Sequence, residues 1–455
     1  MAIRPTQAWL MRPQDPTAFI FFRSAFGLLM FLGTIRFVAY GWVHDLLIKP
    51  DYHFTYFGFR FITVLAPTWL YVIFIIMGLS AFFLSMGIKT KTCALVFFVC
   101  FTWVELMEKA MYLNHYYLVS LIAFLLFLLP SHRSHSLIKI SKKQEIVPIP
   151  HWVYLFLRLQ IALVYFYAGF AKLNSDWLLY AQPLHLWLQN YSHWPIVGSL
   201  LHTSQAAFFM SWAGAAFDLT IWIFLWWPKT RGWAYTGIVI FHVSIWALFP
   251  IGIFSWLMIL SATLFFAPTW PRHYFKHQLP LVLNKCSKPL VPWKTLRLFL
   301  LVWLTFQILF PLRFLCYAGP VNWTEEGFRF SWRVMLIEKT GKIEYRIKTS
   351  ETETEIRIYP RKQLAPFQYK MLCTQWDMIL EYAHHLKNEF ENNSADFCLK
   401  QLPLLIIKFL FTPKYIFLAV SSFFAWLAEM FDFLDFDFDS DGWFDFSQNI
   451  DWVYL

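Results

Sequence analysis

The sequence predicts a mainly α fold: a polytopic helical membrane bundle of about nine spans that carries a small external α+β module. Three observations carry this reading. The 455-residue chain is 58% hydrophobic and 15% charged, where soluble domains hold about 25% charged residues. Aromatic residues make up 21%, with 51 Phe and 24 Trp, a load suited to lipid-facing helices and interfacial belts. The apolar residues gather into runs of roughly 17 or more, the length that crosses a bilayer core.

Nine such runs stand out: about 18–40, 68–87, 91–107, 115–130, 151–171, 206–227, 232–249, 253–268 and 295–316. The third, fourth and eighth are short and require tilt, a kink or shielding by protein. The stretch 19–40 is too long for the apolar region of a signal peptide and has no A-x-A-like site after it, so it reads as the first span. Lys and Arg orient the bundle. With the N-terminus inside, fourteen fall on cytoplasmic segments, among them Arg133, Lys139, Lys142, Lys143, Arg272 and Lys276. Only Lys49, Arg60, Lys109 and Lys172 fall outside before the tail. The net charge of +10 therefore serves topology, and a nucleic-acid partner is not expected.

After Arg313 the composition turns polar. The expected domains are a transmembrane domain over 12–316, an external α+β module over 317–400, and a last segment over 401–455. In the module, 329–337 and 343–347 read as a hairpin turned at Thr340–Gly341–Lys342, and 355–359 alternates as a strand. Residues 366–392 read as one amphipathic helix, with Pro366 at its start and Asn393 beyond its end. Residues 402–430 are apolar again: a tenth span, an interfacial hairpin or a docked helix. The final Phe/Asp stretch holds Asp437, Asp439 and Asp441, spaced like the start of a calcium loop, but its twelfth position is Gln448 rather than Glu. A solvated acidic tail is the plainer reading, and no metal is expected elsewhere. The six cysteines show no metal spacing, though a Cys373–Cys398 bridge is sterically open.

Ionisable side chains inside spans are costly and mark function or a structural pair. Here they include Arg23, Glu105, Arg158, Asp218 and His242, with Arg158 and Asp218 a candidate pair. The external ends of the spans gather Lys109, Asn114, His115, Lys172, Asn174, Asp176 and Trp177, with His242 at similar depth. A lysine at the water–lipid boundary can lose its charge by desolvation and act as a base near neutral pH, with His and Asn orienting it or binding a ligand oxygen. The competing structural reading has Lys172 snorkelling to water and pairing with Asp176. There is no phosphate-binding loop, no nucleophile elbow, no HExxH and no GxGxxG. No inverted repeat favours a transporter.

Longer motifs narrow the field. They are Asp15–Pro16–Thr17 with Arg23; His53 through Phe59; Tyr112–Leu113–Asn114–His115–Tyr116–Tyr117–Leu118; Gln160 and Tyr165 through Trp177; Phe241–His242; Ile251–Gly252–Ile253–Phe254; and Asn322 through Gly327 with Phe330–Ser331–Trp332. Over about 12–392 the chain resembles the vitamin K-dependent γ-carboxylase family, in particular its shorter bacterial members with the HTTM-type membrane domain. The resemblance implies an integral membrane enzyme, a carbon–carbon lyase that converts protein-bound Glu to γ-carboxyglutamate with reduced vitamin K or menaquinone, O₂ and CO₂, releasing a quinone epoxide. It places the family's base lysine on Lys172 and its Asn-His pair on Asn114 and His115, with His242, Tyr165 and Trp177 as candidates for the cofactor pocket.

The resemblance further implies membrane lipid and a Glu-bearing protein or peptide as partners. The site would face the exterior, or the periplasm of a bacterial inner membrane. The chain departs from the family at Phe254–Ser255–Trp256, where relatives often read Phe-Pro-Trp, at Ser136–Leu137–Ile138, and in the Phe/Asp tail. Larger members carry a longer lumenal region with propeptide-binding parts, so propeptide recognition is not expected here. The rival reading is a non-catalytic quinone- or lipid-binding membrane protein that retains the fold.

Overall fold

Six helices in a computed structural model of the protein are long and apolar enough to cross a membrane. The structure describes residues 5–130, 147–249, 251–275, 292–348 and 355–393. The chain divides into two units, 1–399 and 400–455, and the second lies wholly outside the described residues. So do Cys398, the apolar 402–430 stretch and the candidate calcium residues Asp437, Asp439 and Asp441.

The long helices are α1 (Thr17–Ala39), α2 (Pro67–Met86), α3 (Thr90–Met107), α4 (Asn114–Leu128), α5 (His151–Ala171), α6 (Ser204–Trp226), α7 (Arg231–Leu248), α8 (Phe254–Ala262) and α9 (Trp293–Leu309). Helices α1, α2, α3, α5 and α6, with α9 continued to Cys316, are the six. The other three expected spans fall on α4, α7 and α8, of which α4 and Phe254–Phe265 are shorter apolar helices. Large apolar side chains such as Phe209, Trp233, Ile240 and Leu301 are exposed on these helices. In water that surface would drive aggregation, whereas in a bilayer it is the solvated face.

Helix ends follow local chemistry. Pro67 opens α2 at a position whose N–H needs no partner, and Gly87 closes it in the left-handed region at φ 77°, donating to the Leu84 carbonyl. Small residues set the closest helix contacts. A Cβ on Gly27 would lie 2.6 Å from the Ser85 nitrogen, so α1 and α2 touch backbone to backbone there. Amides tie α5 to α9: Trp303 Nε1 donates to Gln160 Oε1 at 3.0 Å, and Gln160 Nε2 to Gln307 Oε1 at 3.2 Å.

The bundle has two distinct poles. At one, β1 (Pro13–Gln14) pairs antiparallel with β2 (Ile149–Pro150). Here Asp15 pairs with Arg272 at 2.6 Å and accepts the Thr17 amide at 2.9 Å. Arg158 donates to the carbonyls of Leu264 and Phe266 at 2.8 and 3.1 Å. The expected Arg158–Asp218 pair therefore does not form. Arg158 lies fourteen residues before Lys172 on the same helix, about 21 Å away at 1.5 Å per residue, and caps the chain after α8 instead.

The other pole carries residues 317–393. β3 (Tyr345–Lys348) pairs antiparallel with β4 (Glu355–Ile358), with Tyr345 opposite Ile358. The expected hairpin between 329–337 and 343–347 is corrected by this pairing. Phe330, Trp332 and Met335 take φ values of 60°, 58° and 54°, which break any extended run and turn the aromatics onto the bundle. Tyr117 meets Phe330 and Trp332 with ring centroids 4.9 and 5.1 Å apart. The expected single helix over 366–392 is two, α10 (Pro366–Leu372) and α11 (Trp376–Asn393). Phe54 and Ala110 of the bundle's loops share one core with Ile347, Ile358, Leu372, Met378 and Tyr382.

Candidate functional site

Lys172 is the C-cap of α5 and only 7% exposed. Its Nζ reaches Asp218 Oδ2 at 2.8 Å and the Ala168 carbonyl at 3.1 Å, and lies 5.3 Å from the Trp177 ring centre. The partner is Asp218 rather than Asp176, which is exposed at the start of the short helix Ser175–Tyr180. The reason is Gly169, one turn before Lys172. A Cβ there would stand 2.7 Å from the Leu219 nitrogen, so α6 comes close enough to bring Asp218 under the amine. Asn174 ends the segment as a cap, its Oδ1 accepting the Trp177 amide at 3.0 Å.

A second polar pair sits beside the first. Tyr165 Oη and His242 Nε2 are 3.0 Å apart, both residues buried to 2% exposure. Tyr165 stands seven residues, about two turns, before Lys172 on α5. The His242 Nδ1 atom is buried and has no hydrogen-bond partner among the described residues. Which ring nitrogen bears the proton follows from the tautomer assigned, but either way Nδ1 offers an unused donor or acceptor. Phe217 and Phe241 stack at 4.0 Å against the same pair.

His115 connects through Phe254. The rings of His115 and His242 both lie 5.7 Å from the Phe254 ring. Among the described residues the His115 nitrogens make no hydrogen bond. Asn114 instead joins the module: Nδ2 donates to the Arg333 carbonyl at 2.9 Å, and Oδ1 accepts from Tyr112 Oη at 2.9 Å. Burial pushes the Tyr112 phenol well above its ordinary range, so it remains a donor. Trp177 is a wall: its ring faces Lys172, while its indole N–H is already given to the Ser211 carbonyl at 2.8 Å. The structure thus groups Lys172, Tyr165, His242 and Trp177, sets His115 across Phe254 from His242, and gives Asn114 to the module contact.

Asp218 and Gly169 are the site features that sequence reasoning missed. Asp218 was visible as a charge inside a span, and Gly169 three positions before Lys172 puts a gap on the same helix face. That spacing was the available signal.

Lys109, also a candidate from the sequence, stands at the same pole in a different setting. Its Nζ meets Glu381 at 2.6 Å and Asp377 at 3.0 Å. Asp377 also pairs with Arg329 at 2.7 Å, and Glu381 accepts the Thr55 amide at 2.7 Å. Burial pushes the Asp377 carboxyl up, but Arg329 and Lys109 more than offset it and hold it down at about 2. Next door, Glu108 accepts from Ala110 and Gln368 at 2.8 and 2.6 Å and meets His53 Nδ1 at 3.1 Å. These contacts fasten the module to the bundle. Cys373 is a free thiol.

Two family profiles cover most of the chain. The HTTM domain matches residues 11–270, and the lumenal domain of vitamin K-dependent gamma-carboxylase matches residues 293–404. No solved structure matches the chain. With more than half of its length in the first profile and most of the remainder in the second, this membrane protein belongs to the vitamin K-dependent γ-carboxylase family.

Proposed function

We propose that the protein is a quinone-dependent γ-carboxylase in which Lys172 takes the first proton from a reduced quinone, vitamin K or menaquinone. The observation that carries this reading is the buried Lys172–Asp218 pair beside a His242 nitrogen that lacks a partner among the described residues. These residues would suit a reduced quinone: the rings of Phe217, Phe241 and Phe254 gather around His242, and one amine and one imidazole nitrogen would be there for the two ring hydroxyls. When bound, the quinone supplies with O₂ the reducing equivalents and base strength that free a Glu γ-carbon for CO₂ and leave the quinone as its epoxide.

The chain's own residues hold and move the proton. Lys172 cannot accept one while it is an ammonium. Moving that proton from Nζ to Asp218 Oδ2 along the 2.8 Å contact turns a buried ion pair into two neutral groups. The desolvation that penalises two buried charges makes this exchange accessible. Neutral Nζ then takes the phenolic proton. His242 Nδ1 would hold the second hydroxyl, with Tyr165 fixing the imidazole through Nε2. His115 and Trp177 close the walls and exclude water, which protects a strong base. Asn114 ties the module's Arg333 carbonyl to this pole rather than touching the quinone.

The Lys and Arg distribution puts the N-terminus inside, so in this proposal the Lys172 pole and the module's described residues, 317–348 and 355–393, face away from the cytoplasm and a Glu-bearing peptide arrives from that side. Purified protein in lipid, given reduced vitamin K, bicarbonate and a Glu peptide, is expected to form epoxide and carboxylated peptide. Quinone binding with neither product from folded wild type would establish the non-catalytic binder instead.

A further inference from the structure

At the pole away from Lys172, a cavity of about 340 Å³ opens between the first halves of α5 and α9, with the short helix Pro5–Leu10 at one end. Its walls are apolar, with Leu155 and Leu159 from α5 and Leu304 from α9. Trp152 and Trp293 stand at its mouth, each in the first turn of its helix, the placement indoles take at headgroup depth. Along α9 the groove runs from Trp293 to Leu304, eleven residues or about 16 Å.

Two lining residues are polar, Gln7 and Arg297, and the second is charged. Arg297 faces the groove a turn inside α9, is exposed, and has no hydrogen bond or ion pair among the described residues. Lys294, three residues earlier and so on the same face, is exposed too. A guanidinium at the edge of the hydrocarbon layer requires a counter-ion. An aliphatic trench that ends in two cations beneath indoles has the charge and shape of a phospholipid. We propose that this groove holds one anionic glycerophospholipid, an acyl chain along the α5–α9 seam and the phosphate at Arg297 and Lys294. This site is separate from the Lys172 pocket and does not depend on the proposed activity. A quinone tail would fill the trench but leave Arg297 without an anion.

The test uses the full chain, released from nanodiscs of mixed phosphatidylglycerol and phosphatidylcholine with matched acyl chains, and weighed by native mass spectrometry. Wild type is expected to retain one phosphatidylglycerol in preference to phosphatidylcholine. Arg297→Gln should lower that preference about fivefold, the effect of one basic residue near a membrane surface, and Arg297→Lys should restore it. Leu304→Trp should fill the trench and remove the bound lipid. Equal retention of the two lipids by wild type, unchanged preference in Arg297→Gln, or a quinone as the retained molecule would each overturn the proposal. Arg297 is exposed, so its variants decide the matter even if Leu304→Trp does not fold.

Discussion

Lys109 and Lys172 stand at the same pole of the bundle, each at a helix end and nearly buried. Lys109 meets two carboxylates from the module, and one of these is shared with Arg329. Lys172 meets one carboxylate from a neighbouring helix, with aromatic rings around it. Taking a proton from Lys109 would leave two carboxylates, Asp377 and Glu381, with only Arg329 on the first. Passing the Lys172 proton to Asp218 leaves two neutral groups. On the proposed function, the difference between a clamp and a base lies in how many charges surround the amine.

Substitutions at the two lysines should therefore separate. Lys172→Ala is expected to cut epoxide formation by about 10²–10⁴-fold, the usual weight of a positioned proton acceptor, while Lys109→Met stays within about tenfold once the folded fraction is matched. Comparable losses from both would break the distinction. Asp218→Asn removes the acceptor but keeps the shape, and should lower kcat about 10²-fold with the KM for quinone little changed. Gly169→Ala sharpens the geometric side: its Cβ would meet the Leu219 nitrogen at 2.7 Å and push α6 from α5. It should cost about 1–3 kcal/mol in thermal unfolding and separate Lys172 from Asp218, lowering turnover more than overall stability explains.

The clamp has its own signatures. Lys109→Met should destabilise the protein by about 1–3 kcal/mol, below the full weight of a buried pair because Asp377 keeps Arg329 at 2.7 Å. Hydrogen exchange should then rise in 317–393 before it rises in the bundle. Acid should act the same way and more gently. Asp377 titrates at about 2 in the fold and at about 3.9 when unfolded, so its stabilising effect is complete above that unfolded value and fades as pH falls toward 2. Exchange in the module that is indifferent to pH between 5 and 2.5 would remove Asp377 from the clamp.

Much of the bundle was legible in the sequence, because hydrophobic runs of bilayer length have few other fates. Each expected span coincides with a described helix. What the runs do not encode is which helices touch. Arg158 and Asp218 are both charges inside spans, and only the α5–α6 contact at Gly169 shows that Asp218 belongs to Lys172. The module misled for a local reason. Residues 329–337 alternate like a strand, but left-handed backbone at Phe330, Trp332 and Met335 makes them an aromatic plug against Tyr117. Lys172 and His242 were legible together because both stand near the external ends of their spans, whereas Tyr165 entered through the family resemblance. The role of Asn114 was not, since its partner is a backbone carbonyl 219 residues later.

The most direct test of the account is a single-turnover measurement of quinone epoxide with wild type, Lys172→Ala and Lys109→Met, each folded in lipid with reduced vitamin K, O₂, CO₂ and a Glu peptide. The account predicts epoxide and carboxylated peptide from wild type and Lys109→Met, and neither above background from Lys172→Ala. Equal epoxide from Lys172→Ala and wild type would contradict it.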